Sequence, residues 1–596
     1  MGVFREGCWR DLLRGLYDGP QTEFLLERIP GLIETSRSSI ASSGVVRQGL
    51  TERDVILITY PDQIRQPGLS PLAALSDFCR EHLMGIVSTL HVLPFYPSSS
   101  DDGFAVTDYR RVDPGLGGWE DISRLGMDFR LMTDAVFNHI SARSDWFQGF
   151  LRGEKKYNGF FIEQEDRPEL ARVVRPRTTP LLHRFEGSAD GKSVWTTFSD
   201  DQVDLNYKNP RLLLEMLGLL LFYAARGASI LRLDAAAYLW KEVGTSCISL
   251  PQTHRLIRLF RAALEACAPH AMLATETNVP QGENLSYFGG GNDEADLAYN
   301  FALPPLVWHM FRTGDSHPLS RWVETLPPPG GRTALLNFLA SHDGIGLNAA
   351  REILPEEDVR GLIQATLDHG GRISEKRNPD GSVQPYELNI NYFDALSEPS
   401  GGEPLEVSIR RFLAAHAVLL ALAGIPAIYF HSLFGSRGWR EGVERSGRNR
   451  SINRRKFQRD EFEAELADGA GLRSRVFTGL SDLIRARGQS PAFDPYGIQK
   501  TVECGNGVFA LMRIHPESGR RVLCLQEISG RPRIADVDLI RVFGPPAPEQ
   551  PVVDLLNGER FDPLRTNPLS LDSYQSRWLA IHGGPPPPDT ERIGPP

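Results

Sequence analysis

The chain has 596 residues, 41% hydrophobic and 23% charged, with a formal net charge of −10. This length exceeds one ordinary core and suits a large barrel with smaller appended domains. The acidic balance, with a pI of about 5.9, argues against non-specific nucleic-acid binding while leaving room for a local basic pocket, and no long uncharged apolar stretch predicts a membrane span.

Residues 1–50 read as an amphipathic helical extension, carried by Trp9-Arg10-Asp11-Leu12-Leu13 and Phe24-Leu25-Leu26-Glu27-Arg28. The start, Met1 to Glu6, lacks an apolar signal core, and Glu6 stands where a myristoylation pattern needs Ser or Thr. A cytoplasmic protein is expected. Eight short apolar runs follow: Val55–Tyr60, Gly85–Leu93, Arg130–Val136, Ser229–Asp234, Met272–Glu276, Asp296–Phe301, Thr333–Leu339 and Ile425–Phe430. Helical patterns such as Leu212–Ala225 and Thr253–Ala266 lie between them. Eight alternating units predict an α/β fold, a (β/α)8 TIM barrel over 51–492. On periodicity alone an open doubly wound sheet is the alternative. Two connections are too long for plain loops, about 141–195 after the third strand and about 346–403 after the seventh. They read as insertion subdomains that wall a binding site. Thr501–Glu503, Val508–Arg513, Arg521–Leu525 and Arg577–Ile581 predict short strands of a C-terminal β-sandwich-like domain over 493–582. The Pro-rich end, 583–596, reads as disordered. Six scattered cysteines without a Cys-x-x-Cys pair predict reduced thiols rather than disulfides or zinc.

Three carboxylates end or closely follow apolar runs. Asp234 follows Ser229-Ile230-Leu231-Arg232-Leu233, Glu276 follows Met272-Leu273-Ala274-Thr275, and Asp343 follows Asn337-Phe338-Leu339-Ala340-Ser341-His342. Carboxylates at the C-terminal ends of barrel strands point into the shared mouth. Three of them fit glycosyl chemistry, in which two carboxyl groups flank a sugar carbon and a cationic transition state needs stabilising. A single Asp in such a place reads equally well as a turn cap.

The set Asp134-Ala135-Val136-Phe137-Asn138-His139, Arg232-Leu233-Asp234, Glu276 and His342-Asp343 resembles, in order, the four signature regions of the α-amylase superfamily of retaining glycoside hydrolases. Asp101-Asp102-Gly103-Phe104, Gly244 to Cys247, Phe301 to Leu306, His342 to Gly346 and Asn449 to Arg454 resemble its sucrose-phosphorylase-like branch. Within that branch Trp195 to Gln202, Thr275 to Pro280 and Gly435-Ser436-Arg437 look most like glucosylglycerate phosphorylases. Sucrose phosphorylases usually carry Glu-Val-His at the acid/base, where this chain has Glu276-Thr277-Asn278.

The resemblance implies a retaining glucoside phosphorylase that converts 2-O-α-D-glucosyl-D-glycerate and phosphate to α-D-glucose 1-phosphate and D-glycerate. Asp234 is the implied nucleophile, Glu276 the acid/base and Asp343 the transition-state stabiliser. Arg232 keeps Asp234 ionised. Asp101, Phe104, His139, Phe198, Gln202, His342 and Arg450 bind the substrate, with Asp101 and Arg450 paired at the closed end of the pocket. His139 read alone is equally a buried structural histidine, and Phe104 and Phe198 are equally core aromatics.

Phosphate needs cations on the acceptor side. Arg175 and Arg177 are candidates, with a solvated surface pair as the alternative. Tyr386 and Glu387 match a loop that in relatives shifts between glycosyl transfer and phosphate attack. Arg372, Lys376 and Arg377 read rather as a solvated loop face. Asn138 matches a structural calcium ligand of many α-amylases, but the phosphorylase branch lacks that ion, so no metal and no cofactor is expected. The expected partners are small-molecule substrates, with no nucleic acid and no membrane, and the chain acts as monomer or homodimer. The rival readings are a phosphorylase of sucrose, sucrose 6′-phosphate or glucosylglycerol, an α-glucosidase, and a non-catalytic barrel.

Overall fold

All eight apolar runs become parallel strands of one closed barrel. The structure is a computed structural model that describes residues 6–42, 49–186, 193–291, 293–327, 331–378, 380–398, 402–544, 551–562 and 569–581. The stretch 583–596, expected to be disordered, lies outside the described residues. The strands are β1 (Ile56–Thr59), β2 (Thr89–Val92), β3 (Arg130–Ala135), β4 (Ala228–Leu233), β5 (Met272–Thr275), β6 (Leu297–Tyr299), β7 (Ala334–Phe338) and β8 (Ile425–Tyr429). Each pairs with its neighbour in sequence, and β8 closes onto β1 with Ala427 opposite Ile56. Every residue of the eight strands is buried. That is why the sequence shows continuous apolar runs instead of alternation: one face fills the barrel and the other meets helices.

The surrounding helices carry clear start signals. Pro71–Leu83, Pro210–Ala225 and Pro251–Cys267 each begin on a proline, whose missing N–H costs nothing there. Ser70 and Asn209 cap the first two by accepting the backbone N–H groups of Ala73 and Arg211. The N-terminal helices Glu6–Arg14 and Gly19–Ser42 form a further outer layer against Pro210–Ala225 and Pro251–Cys267. Leu13, Leu25, Ile29 and Ile33 join the main core. Arg37 Nη2 donates to Ala266 O at 2.9 Å, satisfying a carbonyl at a helix end.

The C-terminal strands Ile498–Thr501, Val508–Ile514, Arg521–Glu527, Val552–Asp554, Arg560–Phe561 and Ser576–Ile581 form an antiparallel six-stranded sheet. Its first strand, expected at Thr501–Glu503, lies slightly earlier. The period of two divides its side chains. Val508, Ala510, Met512, Leu523, Leu525 and Leu579 face a second core shared with the pair Arg533–Ala535 and Leu569–Leu571. Phe509, Leu511, Val522, Cys524 and Trp578 face the barrel and belong to its core.

Two long insertions rise around the C-terminal ends of the barrel strands. The first, after β3, holds helix Asp145–Leu151 and a small sheet of Glu163–Gln164, Leu182–His183 and Ser193–Trp195. The second, after β7, holds helix Glu356–Asp368 and a hairpin of Arg372–Arg377 with Val383–Asn389, extended by Ile345–Gly346.

Candidate active site

Strands β4 and β5 run in register, with Leu233 opposite Thr275. Asp234 and Glu276, the next residue of each, therefore leave adjacent strands at one level. Arg232, two residues before Asp234, lies on the same face and opposite Asp134 of β3. Its buried guanidinium donates to Asp134 and, at 3.0 Å, to Asp234 Oδ1, and it lies 3.9 Å from Glu276 Oε2. His91 Nε2 lies 2.9 Å from the second oxygen of Asp134. Burial works against the charge on Asp134, but Arg232 and His91 outweigh it and hold this carboxyl at about 2.

Asp234 and Glu276 behave differently. Burial raises both; Arg232 opposes this in each case, and neighbouring carboxylates add to the rise. The backbone N–H of Ala235 donates to Glu276 Oε2 at 2.9 Å, which partly offsets the shift there. The net direction for both is upward, so the pair retains a proton well above the usual carboxylate range. Ala235 itself sits at φ 49°, a left-handed turn that places its N–H toward Glu276.

Asp343 lies in the loop after β7 and is held the other way. Burial pushes its carboxyl up, but Arg450, His342 and Arg454 together bring it well below its ordinary value. Arg450 Nη1 lies 2.7 Å from Asp343 Oδ1, and His342 Nε2 and Arg454 Nη2 lie 3.5 Å from the same oxygen. His342 is neutral, lowered by burial to about 3, and stacks on Phe104 with ring centres 4.9 Å apart and planes 4° from parallel.

Asp234, Glu276, Asp343, His342, Phe104 and Arg450 line one cavity together with Asp101, His139, Phe198, Gln202, Arg177 and Tyr386. His139 Nε2 lies 3.0 Å from Phe104 O, and burial favours its neutral form. Gln202 Nε2 reaches toward Asp101 Oδ2 at 3.4 Å. Phe198 packs against His139 and Tyr238.

Asp101 and Arg450 both line the cavity, and Asp101 is within electrostatic reach of Arg450, but the direct ion-pair partner of Asp101 is a different arginine. Arg450 joins Asp343 to Glu387, whose oxygens lie 2.6 and 3.0 Å from its guanidinium. Arg454, four residues later, takes the place beside Asp101 at 3.5 Å and beside Asp102 at 2.5 Å. Both arginines come from the turn at Asn449–Asn453 and its end, so sequence spacing did not distinguish them. Arg454 and Asp134 thus join the site, although their motifs by themselves point to no role for either.

The two candidate phosphate arginines also separate. Arg175 is buried, and its guanidinium donates to the carbonyls of Thr179, Pro180, Thr196 and Thr197, which commits it to the insertion's own backbone. Arg177 reaches the cavity, with its guanidinium 5.6 Å from the centre of the Phe198 ring. Tyr386 lines the cavity and accepts from Asn278 Nδ2 at 3.2 Å. Glu387 lies behind it, on Arg450 and on the Gly344 N–H at 3.1 Å. Arg372 and Arg377 are exposed, and Lys376 Nζ donates to Asn348 at 3.0 Å beside the Tyr386 ring.

Asn138 does not offer a calcium site. Its Oδ1 accepts from Lys241 Nζ at 2.6 Å, and the same ammonium lies 2.7 Å from Asp204. A lysine cation therefore occupies the position where a bound metal would need these oxygens. Among the described residues no helix is long and apolar enough to cross a membrane.

Residues 82–318 match the alpha amylase catalytic domain. The glucosylglycerate phosphorylase of Spirochaeta thermophila is 47% identical over 582 residues, covering 96% of this chain and 98% of that protein. The glucosylglycerate phosphorylase of Escherichia coli is 42% identical over 571 residues, covering 96% and 99%. The crystal structure of sucrose 6F-phosphate phosphorylase from Thermoanaerobacter thermosaccharolyticum superposes with a TM-score of 0.69 at 24% identity, covering 81% of this chain and 96% of that one.

Proposed function

The chain belongs to the α-amylase family, among the relatives of the glucosylglycerate phosphorylases, and from that premise we propose that it phosphorolyses 2-O-α-D-glucosyl-D-glycerate with retention. The observation that carries this reading is the combination of three carboxylates in one cavity with a cation, Arg177, at the same cavity. Hydrolysis alone does not require that cation, whereas phosphate and glycerate are both anions.

The reaction runs in two displacements. Asp234 attacks the anomeric carbon, the bond to the glycerate oxygen breaks, and Glu276 gives that oxygen its proton. A β-glucosyl ester on Asp234 results. A phosphate oxygen then attacks the same carbon, Glu276 takes the phosphate proton, and Asp234 leaves as a carboxylate. The product is α-D-glucose 1-phosphate. Arg232 lies closer to Asp234 than to Glu276, which favours charge on the nucleophile and the proton on the acid. Asp343, kept ionised by its two arginines, faces the positive charge that develops on the sugar. Asp101, Phe104, His139, Phe198, Gln202 and His342 hold the glucosyl ring, and Arg177 meets the phosphate. Arg175 serves by fixing the loop that presents Arg177. The protein works without metal or cofactor, as a monomer or homodimer in the cytoplasm.

The test is formation of α-glucose 1-phosphate from glucosylglycerate, sucrose, sucrose 6′-phosphate and glucosylglycerol, each with phosphate. Preference for glucosylglycerate is expected. Preference for another glucoside corrects the acceptor, and release of free glucose without phosphate dependence overturns the reading.

A further inference from the structure

Two adjacent carboxylates, Asp101 and Asp102, address one guanidinium. Asp102 Oδ2 lies 2.5 Å from Arg454 Nη1, while Asp101 Oδ1 lies 3.5 Å from the same nitrogen. Only the first distance is a charge-assisted hydrogen bond. Of the two residues, Asp101 lines the cavity. Its contacts with protein are long ones, to Arg454 at 3.5 Å and to Gln202 at 3.4 Å. Asp102 does not line the cavity and is exposed. Arg454 is in turn fixed by donating to His342 O at 3.0 Å and by lying 3.5 Å from Asp343.

The backbone here is unusual. Asp101 and Asp102 sit at φ 53° and 50°, in the left-handed region that non-glycine residues seldom occupy. Gly103 follows at φ 113°, where an added Cβ would lie 2.7 Å from Pro94 O. Such a turn persists when surrounding contacts over-determine it. The Asp102–Arg454 pair is one of those contacts, and it links the turn after β2 to the end of the turn at Asn449–Asn453.

We propose that Asp102 is a positioning residue for donor binding: it occupies Arg454 so that the carboxylate of Asp101 stays available to the hydroxyls of the glucosyl group. Without Asp102, Arg454 Nη1 is left with Asp101, now 3.5 Å away, as its carboxylate partner, and the sugar loses that acceptor. This deepens the functional reading above and rests on it for the identity of the donor.

Replacing Asp102 with Gly removes the carboxylate while suiting the left-handed turn, so loss of fold does not confuse the outcome. Asp102→Asn keeps the size and tolerates the turn but loses the charge. Donor KM, phosphate KM, kcat and Tm are measured for the unsubstituted enzyme and both variants. Asp102→Gly is expected to raise the donor KM about tenfold, on the scale of one lost hydrogen bond to a charged group, with phosphate KM and Tm near those of the parent. Asp102→Asn falls between. An unchanged donor KM in Asp102→Gly overturns the proposal, and so does an equal rise in both KM values accompanied by a fall in Tm. If the unsubstituted enzyme releases no glucose 1-phosphate from any of the glucosides, the functional reading fails instead. Binding of glucose to the parent and to Asp102→Gly then decides the role of Asp102, with equal affinity overturning it.

Discussion

Asp134 and Asp234 touch the same guanidinium, yet their carboxyl groups shift in opposite directions. Asp134 has Arg232 and His91 at hydrogen-bond distance, and it titrates near 2. For Asp234, burial and the field of Glu276, Asp134 and Asp343 outweigh Arg232, and its carboxyl is raised. For Asp134 the folded value is depressed, so its stabilising effect is full above the ordinary carboxylate range and is lost as pH falls from about 4 toward 2. The stability difference between the parent and Asp134→Asn should therefore shrink by on the order of 2 kcal/mol between pH 5 and the acid limit. Denaturant unfolding at pH 5 and pH 3 should already show about half of this change, and a constant difference would refute the pairing. For the catalytic pair the sign differs. Productive enzyme holds one proton, on Glu276; a second proton on Asp234 stops attack at low pH, and loss of the first stops leaving-group protonation at high pH. Because both groups are raised, the bell should centre above the ordinary carboxylate range. Replacing Asp234 with Ala should lower kcat by several orders of magnitude. Glu276→Gln should stop phosphorolysis of glucosides but still form the glucosyl ester from α-glucosyl fluoride, whose leaving group needs no proton. A burst of fluoride release from that variant is the readout, and its absence would assign Glu276 a different role.

At the scale of elements, the second insertion is fastened to the catalytic loop at two glycines. An added Cβ at Gly344 would lie 2.6 Å from both Glu387 Cγ and Leu388 O, and one at Gly346 would lie 2.4 Å from Asn278 Nδ2. The hairpin thus reaches Asp343 through Glu387 and Arg450, and it reaches the Glu276 loop through Tyr386 and Asn278. Gly344→Ala should push the hairpin off this seat. Phosphorolysis kcat/KM is expected to fall at least about tenfold while Tm moves by only a few degrees, because the contact is local to the mouth. Unchanged kcat/KM would show that the hairpin does not set the site. The same comparison explains what could be read in advance. The eight strands were legible because burial on both faces leaves uninterrupted apolar runs, and Asp234, Glu276 and Asp343 were legible because each follows such a run. The partner of Asp101 was not, since Arg450 and Arg454 lie one short turn apart and only the three-dimensional path sends one to Glu387 and the other to Asp102. Arg175 and Arg177 pose the same difficulty two residues apart: their order along the chain does not reveal which one donates to the loop's own carbonyls.

Across the whole molecule, the barrel and the C-terminal sheet share one apolar seam. Trp578 is buried on the barrel-facing side of that sheet, with its ring 4.8 Å from that of Phe493. Two buried arginines stitch the same seam. Arg513 donates to Ala421 O at 2.8 Å and Asp494 O at 2.6 Å, and Arg487 donates to Leu420 O at 3.1 Å and Phe493 O at 3.0 Å. These bonds satisfy carbonyls where the chain passes into β8 and out toward the sheet, groups that water cannot reach and that would otherwise cost free energy. The seam therefore behaves as core rather than as a contact between independent bodies. Truncating Trp578 to Ala should cost about 3–5 kcal/mol, the range for a large buried aromatic. None of the residues along this seam lines the catalytic cavity. The variant should accordingly keep its kcat/KM at 25 °C per folded molecule while its thermal transition moves down as a single step. Calorimetry with parallel activity measurements decides the matter. If the sheet melts first and the barrel's activity survives to the parent temperature, the sheet is an appended body; if both are lost together, the barrel depends on the C-terminal sheet for part of its core.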